Sequence, residues 1–286
     1  MNHLVCDLHT HSHYSDGTYS PADLIAEAEK RGLAAIALSD HNTIRGLDEL
    51  IEAAKGSSVE AIGAVELSTD YLPEGGKNIE LHIVALFIRS EHYDSISALV
   101  AQMAENKKKS NRELIAALKE HGYDIDYDEV CATACGNVNR AHMAAVLTEK
   151  GYTPSIQAAF KTVLSPDKGL YVPPRRLPVF ETIEFIRSIG AVPVLAHPFL
   201  QLDATGLRTF LDKAMPHGLI GIETLYSTYD EETTALSRTI AAEYSLCESG
   251  GSDFHGARKP DIALGIGHGN LAIPYAFWER LKQFTT

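Results

Sequence analysis

The chain has 286 residues, 45% of them hydrophobic and 22% charged, enough apolar material for one large α/β domain with an insertion or for two ordinary domains. Its formal net charge of −13 opposes broad binding to long duplexes, so no duplex DNA partner is expected, while a small anion gripped by local cations stays compatible. No apolar run reaches the roughly 18–20 residues of a spanning helix, and no basic stretch opens the chain, so neither a membrane partner nor a signal peptide is expected.

The first elements alternate. Leu4–Leu8 is a short apolar run, and Ser20-Pro21-Ala22-Asp23 starts a helix with a capping serine and proline at the first helical position, closed by Gly32. Leu33–Leu38 reads as a buried strand ending in Ser39-Asp40-His41. A helix over about Gly46–Ala54 leads to the strand Ala61–Val65 and then Glu66, and Glu80–Phe87 is a further strand. The pattern changes near Ser90: Tyr93–His121, Asn137–Gly151 and Pro154–Phe160 are helical, with Lys107-Lys108-Lys109 as a solvated face. Alternation resumes with a helix over Pro178–Ile189, a strand over Ala191–Ala196 ending at His197-Pro198, and a helix over Thr205–Met215. Strand Leu219–Glu223, helix Glu231–Tyr244 and strand Leu246–Ser249 then lead into Gly251-Ser252-Asp253-Phe254-His255.

Repeated strand–helix units imply an α/β fold whose parallel sheet closes into a barrel. The barrel is expected over residues 1–90 and 166–286, interrupted by a helical insertion over 91–165. Cys6, Cys131, Cys135 and Cys247 lack Cys-x-x-Cys spacing and read as reduced thiols of a cytoplasmic protein.

Histidine carries the chemistry. There are 13, several beside aspartate. In His9-Thr10-His11, strand geometry sends both imidazoles to one side, and Ser15-Asp16-Gly17 can turn a carboxylate back to the same mouth. Asp40-His41, Glu66, His197 and Asp253-x-His255 all lie at or just after the ends of apolar strands, where parallel α/β folds gather their active sites. Imidazole and carboxylate without thiolate suit Mn²⁺, Zn²⁺ or Fe²⁺. The candidate ligands are His9, His11, Asp16, His41, Glu66, His82, His197, Asp253 and His255, more than one ion needs, so two or three ions are implied. His82 fits less simply, because it falls near the beginning of its strand: either that strand runs against its neighbours or the site reaches it from another direction.

The motifs at Asp7–Gly17 (D-L-H-T-H-S-x-x-S-D-G), Ser39–Thr43 (S-D-H-N-T), Gly63–Ser68 (G-A-V-E-L-S), His82–Phe87, Ala196–Pro198 (A-H-P) and Gly251–His255 (G-S-D-F-H) resemble the PHP (polymerase and histidinol phosphatase) family. The resemblance implies a distorted (β/α)7 barrel with three divalent ions, Mn²⁺ first, with Zn²⁺ or Fe²⁺ as alternatives. It would place His9, His11, Glu66 and Asp253 on one ion, Glu66, His82 and His197 on a second, and Asp16, His41 and His255 on a third. Some family members carry His where this chain has Asp16. The segment Cys135–Ala144 and Tyr171–Arg176 resemble the branch of 3′,5′-nucleoside bisphosphate phosphatases and enzymes trimming short RNA.

The reading is therefore a phosphomonoesterase converting pAp to AMP and phosphate by attack of a metal-bridging hydroxide, with Glu66, Asp253 and His255 catalytic. The alternatives are a 5′→3′ exoribonuclease on short RNA, a histidinol phosphate phosphatase, which the inserted helices oppose, and a non-catalytic metal-binding module. Arg140 and Arg175, then Arg176, are candidates for a second phosphate, since guanidinium binds it as a rigid fork. His13 is a further substrate candidate. Tyr171 and Phe199 read as core packing rather than base stacking, and Asp7 and Asp40 as residues that orient neighbouring ligands.

Overall fold

A computed structural model of the chain describes residues 4–133, 138 and 140–286; Cys135, Gly136, Asn137 and Asn139 of the branch-specific segment lie outside these. The chain begins with strand β1 (Val5–Thr10), helix α1 (Pro21–Lys30), β2 (Ala35–Leu38), α2 (Leu47–Ala53), β3 (Glu60–Tyr71) and β4 (Ile79–Leu86). Helices α3 (Tyr93–Glu120), α4 (Tyr127–Ala132), α5 (Arg140–Glu149) and α6 (Ile156–Lys161) follow. The two-residue β5 (Leu177–Pro178) and α7 (Val179–Ser188) precede β6 (Val192–Leu195), α8 (Ala204–Ala214) and β7 (Gly221–Tyr226). The last elements are α9 (Glu231–Glu243), β8 (Cys247–Gly251), the two-residue β9 (Ile273–Pro274) and α10 (Tyr275–Lys282).

The local signals act as their chemistry dictates. Ser20 caps α1 in a reciprocal capping box with Asp23, and Pro21 takes the first turn, where no amide donor is needed. α4 and α10 are helices that the sequence pattern did not announce.

Seven strands, β1–β4 and β6–β8, run in the order β8-β7-β6-β4-β3-β2-β1. Beyond β8 the chain returns to β1: the Asp253 N–H donates to the His9 carbonyl at 2.9 Å and the His11 N–H to the Phe254 carbonyl at 3.0 Å. These bonds nearly close the sheet into a barrel. β2 is parallel to β1 and β3, and β7 to β6 and β8. β4 alone among the seven is reversed, antiparallel to both β3 and β6. A direct hairpin connection from β3 makes that reversal simple, since no crossover helix is required.

Side-chain alternation stacks the barrel interior in layers. Ile62 and Ala64 on β3, and Val84 and Leu86 on β4, belong to a buried core with Cys6, Leu8, Val192 and Val194. Two residues further toward the mouth on each strand stand Glu66 and His82. β1 needs a correction to this rule, because strict alternation would send Leu8 and His9 to opposite faces. Its register with β2 slips between Asp7 and Thr10, a bulge that re-aims the histidines while Leu8 stays in the core. The opposite end is covered by α10, whose Trp278 and Leu281 join the same core; each such burial contributes about 1.5–3 kcal/mol.

The chain divides into two compact units, residues up to Ala98 with Leu177–Thr286, and Leu99–Arg176. These cuts differ from the expected 90 and 165 for concrete reasons. The 28-residue α3 runs through the first cut. After 165 the chain stays tied to α3: Asn106 donates to the Arg175 carbonyl and Ser110 to the Val172 carbonyl. The second unit has its own core, including Leu114, Leu118, Ile125, Met143 and Leu147.

The barrel closure leaves no room at Gly251, where an added Cβ would lie 2.1 Å from His9 Cβ and 2.8 Å from its Cα. Gly251→Ala should therefore force β8 off β1 and cost about 1–3 kcal/mol. A thermal melt of the purified variant should show a midpoint lowered by several degrees; an unchanged midpoint would mean that the two strands are not tightly closed here.

Candidate metal centre

All nine sequence-identified donors lie in the barrel unit, at its mouth. His9 is the penultimate residue of β1 and His11 lies just beyond the strand, His41 follows β2, His197 follows β6, and Asp253 and His255 follow β8. Glu66 differs from expectation: it lies in the middle of β3, which continues to Tyr71 because its second half pairs with β4 beyond the end of β2. His82 reaches the mouth because β4 is reversed, so the start of that strand meets the far ends of its neighbours. Asp16 is returned by a tight turn in which the Gly17 N–H donates to the Ser12 carbonyl at 2.9 Å. An added Cβ at Gly17 would meet the His11 carbonyl oxygen at 2.3 Å, so only glycine fits. His197 and Asp253 take positive φ, 29° and 54°, backbone strain held at the site by its surroundings.

Glu66 is the hub. Fully buried, it presents Oε1 to His82 Nδ1 at 2.7 Å and to His197 Nε2 at 3.0 Å. Its Oε2 faces His41 Nδ1 at 2.8 Å, His9 Nε2 at 3.3 Å and His11 Nε2 at 3.4 Å. One carboxylate thus separates five imidazoles into two sets. Asp253 Oδ1 lies 3.1 Å from His11 Nε2 and 3.8 Å from His9 Nε2. Asp16 Oδ1 lies 3.2 Å from His255 Nε2 and 3.8 Å from His11 Nδ1, and its Oδ2 lies 3.9 Å from His41 Nε2.

Among the described residues, four groups of donor atoms converge within 4.8 Å: His11, Asp16, His41 and His255; His9, His11 and Asp253; His9, Glu66 and His197; and His41, Glu66 and His82. The buried atoms His11 Nδ1, His41 Nδ1 and Glu66 Oε2 have no hydrogen-bond partner among the described residues. His41 Nδ1 and Glu66 Oε2 are close without hydrogen-bond geometry. Orphaned nitrogen and oxygen lone pairs aimed at shared points, with no thiolate among them, fit divalent transition ions.

A second layer fixes these donors. His9 Nδ1 contacts Glu223 Oε1 at 2.8 Å, and the other Glu223 oxygen accepts the His197 N–H at 2.7 Å. With its Nδ1 proton directed to Glu223, His9 turns Nε2 to the centre. The His255 Nδ1 proton goes to the Asp253 carbonyl at 2.8 Å, which likewise frees Nε2. Asp253 Oδ2 accepts from the Tyr226 hydroxyl at 2.7 Å and the Lys259 ammonium at 2.6 Å, leaving Oδ1 for the centre. Asp40 accepts from the Ser12 N–H and hydroxyl and from the Ser15 hydroxyl, holding the turn that bears Asp16. Asp7 accepts from Ser252 and from the Gly265 N–H, and burial pushes its carboxyl up to about 6.

Glu223, Tyr226 and Lys259 were not among the sequence candidates. Glu223 was legible in principle, as a carboxylate ending an apolar strand at the same level as His197. Lys259, six residues beyond Asp253, carries no such mark. His13, exposed and stacked on Tyr14 with rings 4.5 Å apart, joins none of the donor groups. Arg140, Arg175 and Arg176 belong to the helical unit, where the Arg140 guanidinium lies 4.2 Å from the Tyr171 ring centre.

The protonation states follow from crowding. Burial would raise the Glu66 carboxyl, but His41, His82 and His9 outweigh it and hold Glu66 well below the usual carboxylate range. Burial likewise opposes charge on His82, yet Glu66, with Glu80 behind it, moves this imidazole up to about 10. His9 is buried too, but Glu223 and Glu66 raise it well above its ordinary value. Burial and the His41 charge push His11 down to about 3.

The sequence profile of the PHP domain matches residues 7–170. A 5′-3′ exoribonuclease of Haemophilus influenzae is 34% identical over 251 residues, which cover 87% of this chain and 89% of its own. A 3′,5′-nucleoside bisphosphate phosphatase of Chromobacterium violaceum is 28% identical over 280 residues, 96% of each chain. Among solved structures, an amidohydrolase of Chromobacterium violaceum with bound sulfate and no metal is similar, with a TM-score of 0.76 and 26% identity over 99% of this chain and 98% of its own.

Two outcomes are expected of the metal-free protein. At pH 7 His82 is protonated, being below its value of about 10, and a ligating imidazole must be neutral. Metal uptake should therefore release protons and tighten as pH rises above 7, which titration calorimetry in two buffers of different ionisation enthalpy reads directly. Zero net release would show that His82 is neutral before loading. Glu223→Gln keeps size but removes the charge behind His9 and should weaken metal binding about 10–100-fold in a chelator competition. Unchanged affinity would reduce Glu223 to packing.

Proposed function

The chain belongs to the PHP domain family and is a metal-dependent phosphoesterase, and from that premise we propose that it removes the 3′-phosphate of nucleoside 3′,5′-bisphosphates, taking pAp to AMP and phosphate. The observation that carries the chemistry is Glu66, whose two oxygens face separate sets of imidazoles and can serve two ions at once. The substrate class is supported by the bisphosphate phosphatase that aligns over 96% of each chain.

Three divalent ions are proposed for the nine donors, Mn²⁺ first. Held there, they would supply Lewis acidity toward the phosphoryl group and lower the pKa of water. The protein's own contribution is positional. Glu66 and Asp253 keep the donors in register, and His255, with Nδ1 tied to a carbonyl, offers only Nε2 to the site. Water adds to phosphorus, the ester P–O bond breaks, and the 3′-oxygen leaves with a proton; no covalent enzyme intermediate is invoked. Arg140 and Arg175, then Arg176, are proposed to grip the phosphate that does not react, with His13 a further substrate contact. No described helix is long and apolar enough to cross a membrane; a cytoplasmic location is part of the same reading.

A second reading is favoured by the exoribonuclease relative: the same centre cleaving a diester at the 5′ end of short RNA. Side-by-side assays with Mn²⁺ on pAp, a short 5′-phosphorylated RNA and histidinol phosphate separate the readings. Fastest turnover of pAp is expected; preference for the RNA would transfer the assignment to the exonuclease. Glu66→Ala should lower turnover at least about 10³-fold, on the scale of lost metal catalysis, whereas Cys131→Ser should stay within a few-fold. Arg140→Ala or Arg175→Ala should cost about 30–150-fold in kcat/KM on pAp and little on 3′-AMP, which has one phosphate. Equal losses on both substrates would remove the arginine from recognition of the second phosphate.

A further inference from the structure

Beside the donor cluster, the loops that follow β6 and β7 enclose an open cavity of about 620 Å³, within the range of small-ligand sites. Phe199, Leu200, Gln201, Asp203, Thr228 and Tyr229 line it. Its link to the centre is short. Phe199 stands two residues after His197, and the Phe199 N–H donates to the Tyr229 hydroxyl at 3.0 Å. The Tyr226 ring lies between, 5.2 Å from the His197 ring and 5.3 Å from that of Tyr229, with its hydroxyl on Asp253.

The chemistry of the wall selects its guest. Among the described lining residues there is one carboxylate, Asp203, and no lysine or arginine, so a phosphate is repelled. Phe199, half-buried and edge to face with the buried Tyr229 at 5.8 Å, offers aromatic surface, and Leu200 is an apolar side chain left 48% exposed. Asp203 Oδ1 accepts the Gly206 N–H, and its other oxygen can accept from an exocyclic amine. We infer that this cavity is the nucleobase subsite of the substrate, taking a neutral, amine-bearing aromatic base while the phosphate ester lies at the donor cluster. The inference rests on the nucleotide reading above and adds to it the place where the base is recognised.

The test uses two readouts. In the metal-free protein, adenosine, which has no phosphate, should show saturation transfer by NMR, and both Phe199→Ala and Leu200→Asp should weaken its binding about 10-fold or more, the scale of losing a base stack. Leu200 is exposed, so its variant remains informative if Phe199→Ala disturbs packing near His197. With Mn²⁺, the same variants should lose about 10-fold in kcat/KM on pAp while leaving ribose 3,5-bisphosphate, which lacks the base, unchanged. Adenosine that does not bind, or that binds both variants as well as the parent, overturns the subsite. Turnover of neither ester would overturn the phosphatase reading instead, and the adenosine arm would still decide the cavity.

Discussion

The buried carboxylate of Glu66 sets the terms for the rest of the barrel mouth. An ionised group without water costs several kcal/mol unless close partners compensate it, and here five imidazoles do so from two sides. The arrangement is charge-balanced only with protons or metal ions between the donors. Crowding this tight makes the cationic form of some imidazoles favourable and of others, such as His11, unfavourable. A site of this kind holds cations because its own groups cannot satisfy one another.

Bringing those imidazoles to one carboxylate requires departures from a regular parallel barrel. Reversal of β4 turns the start of a strand toward the mouth and delivers His82. The slip in β1 lets Leu8 fill the core while His9 reaches the centre. Closure of the barrel by the segment after β8 places Asp253 and His255 beside β1, through hydrogen bonds that demand a bare glycine at position 251. Each irregularity sits next to a candidate donor, where an unstrained strand would aim the side chain elsewhere.

The polar layer behind the candidate donors has the same logic. Glu223 joins His9 to the backbone of His197, so donors from distant strands share one support. Tyr226 and Lys259 occupy one oxygen of Asp253 and leave the other free. Asp7 and Asp40 bind backbone and hydroxyl groups rather than facing the donors, in line with an orienting role. Precision at the centre thus comes from buried and part-buried hydrogen bonds, which resist displacement because a broken one would leave a desolvated polar group unpaired.

The sequence by itself determined the barrel class, the helical interruption and the family. Apolar runs ending in His, Asp or Glu are local patterns, and their order along the chain is preserved whatever the details of packing. It also identified donors that converge in space, because strand ends gather at one face. What it left open depended on tertiary contacts that no local pattern encodes. The direction of β4 follows from pairing with both β3 and β6, which no local period encodes. The continuation of β3 past Glu66 depends on β4 lying beside it. Glu223 and Lys259 acquire their roles only from the side chains they meet, His9 and Asp253, which are 214 and 6 residues away in the chain. Local propensity decides where a strand begins and which faces are apolar; only tertiary contact decides which of its polar residues is held, and by what.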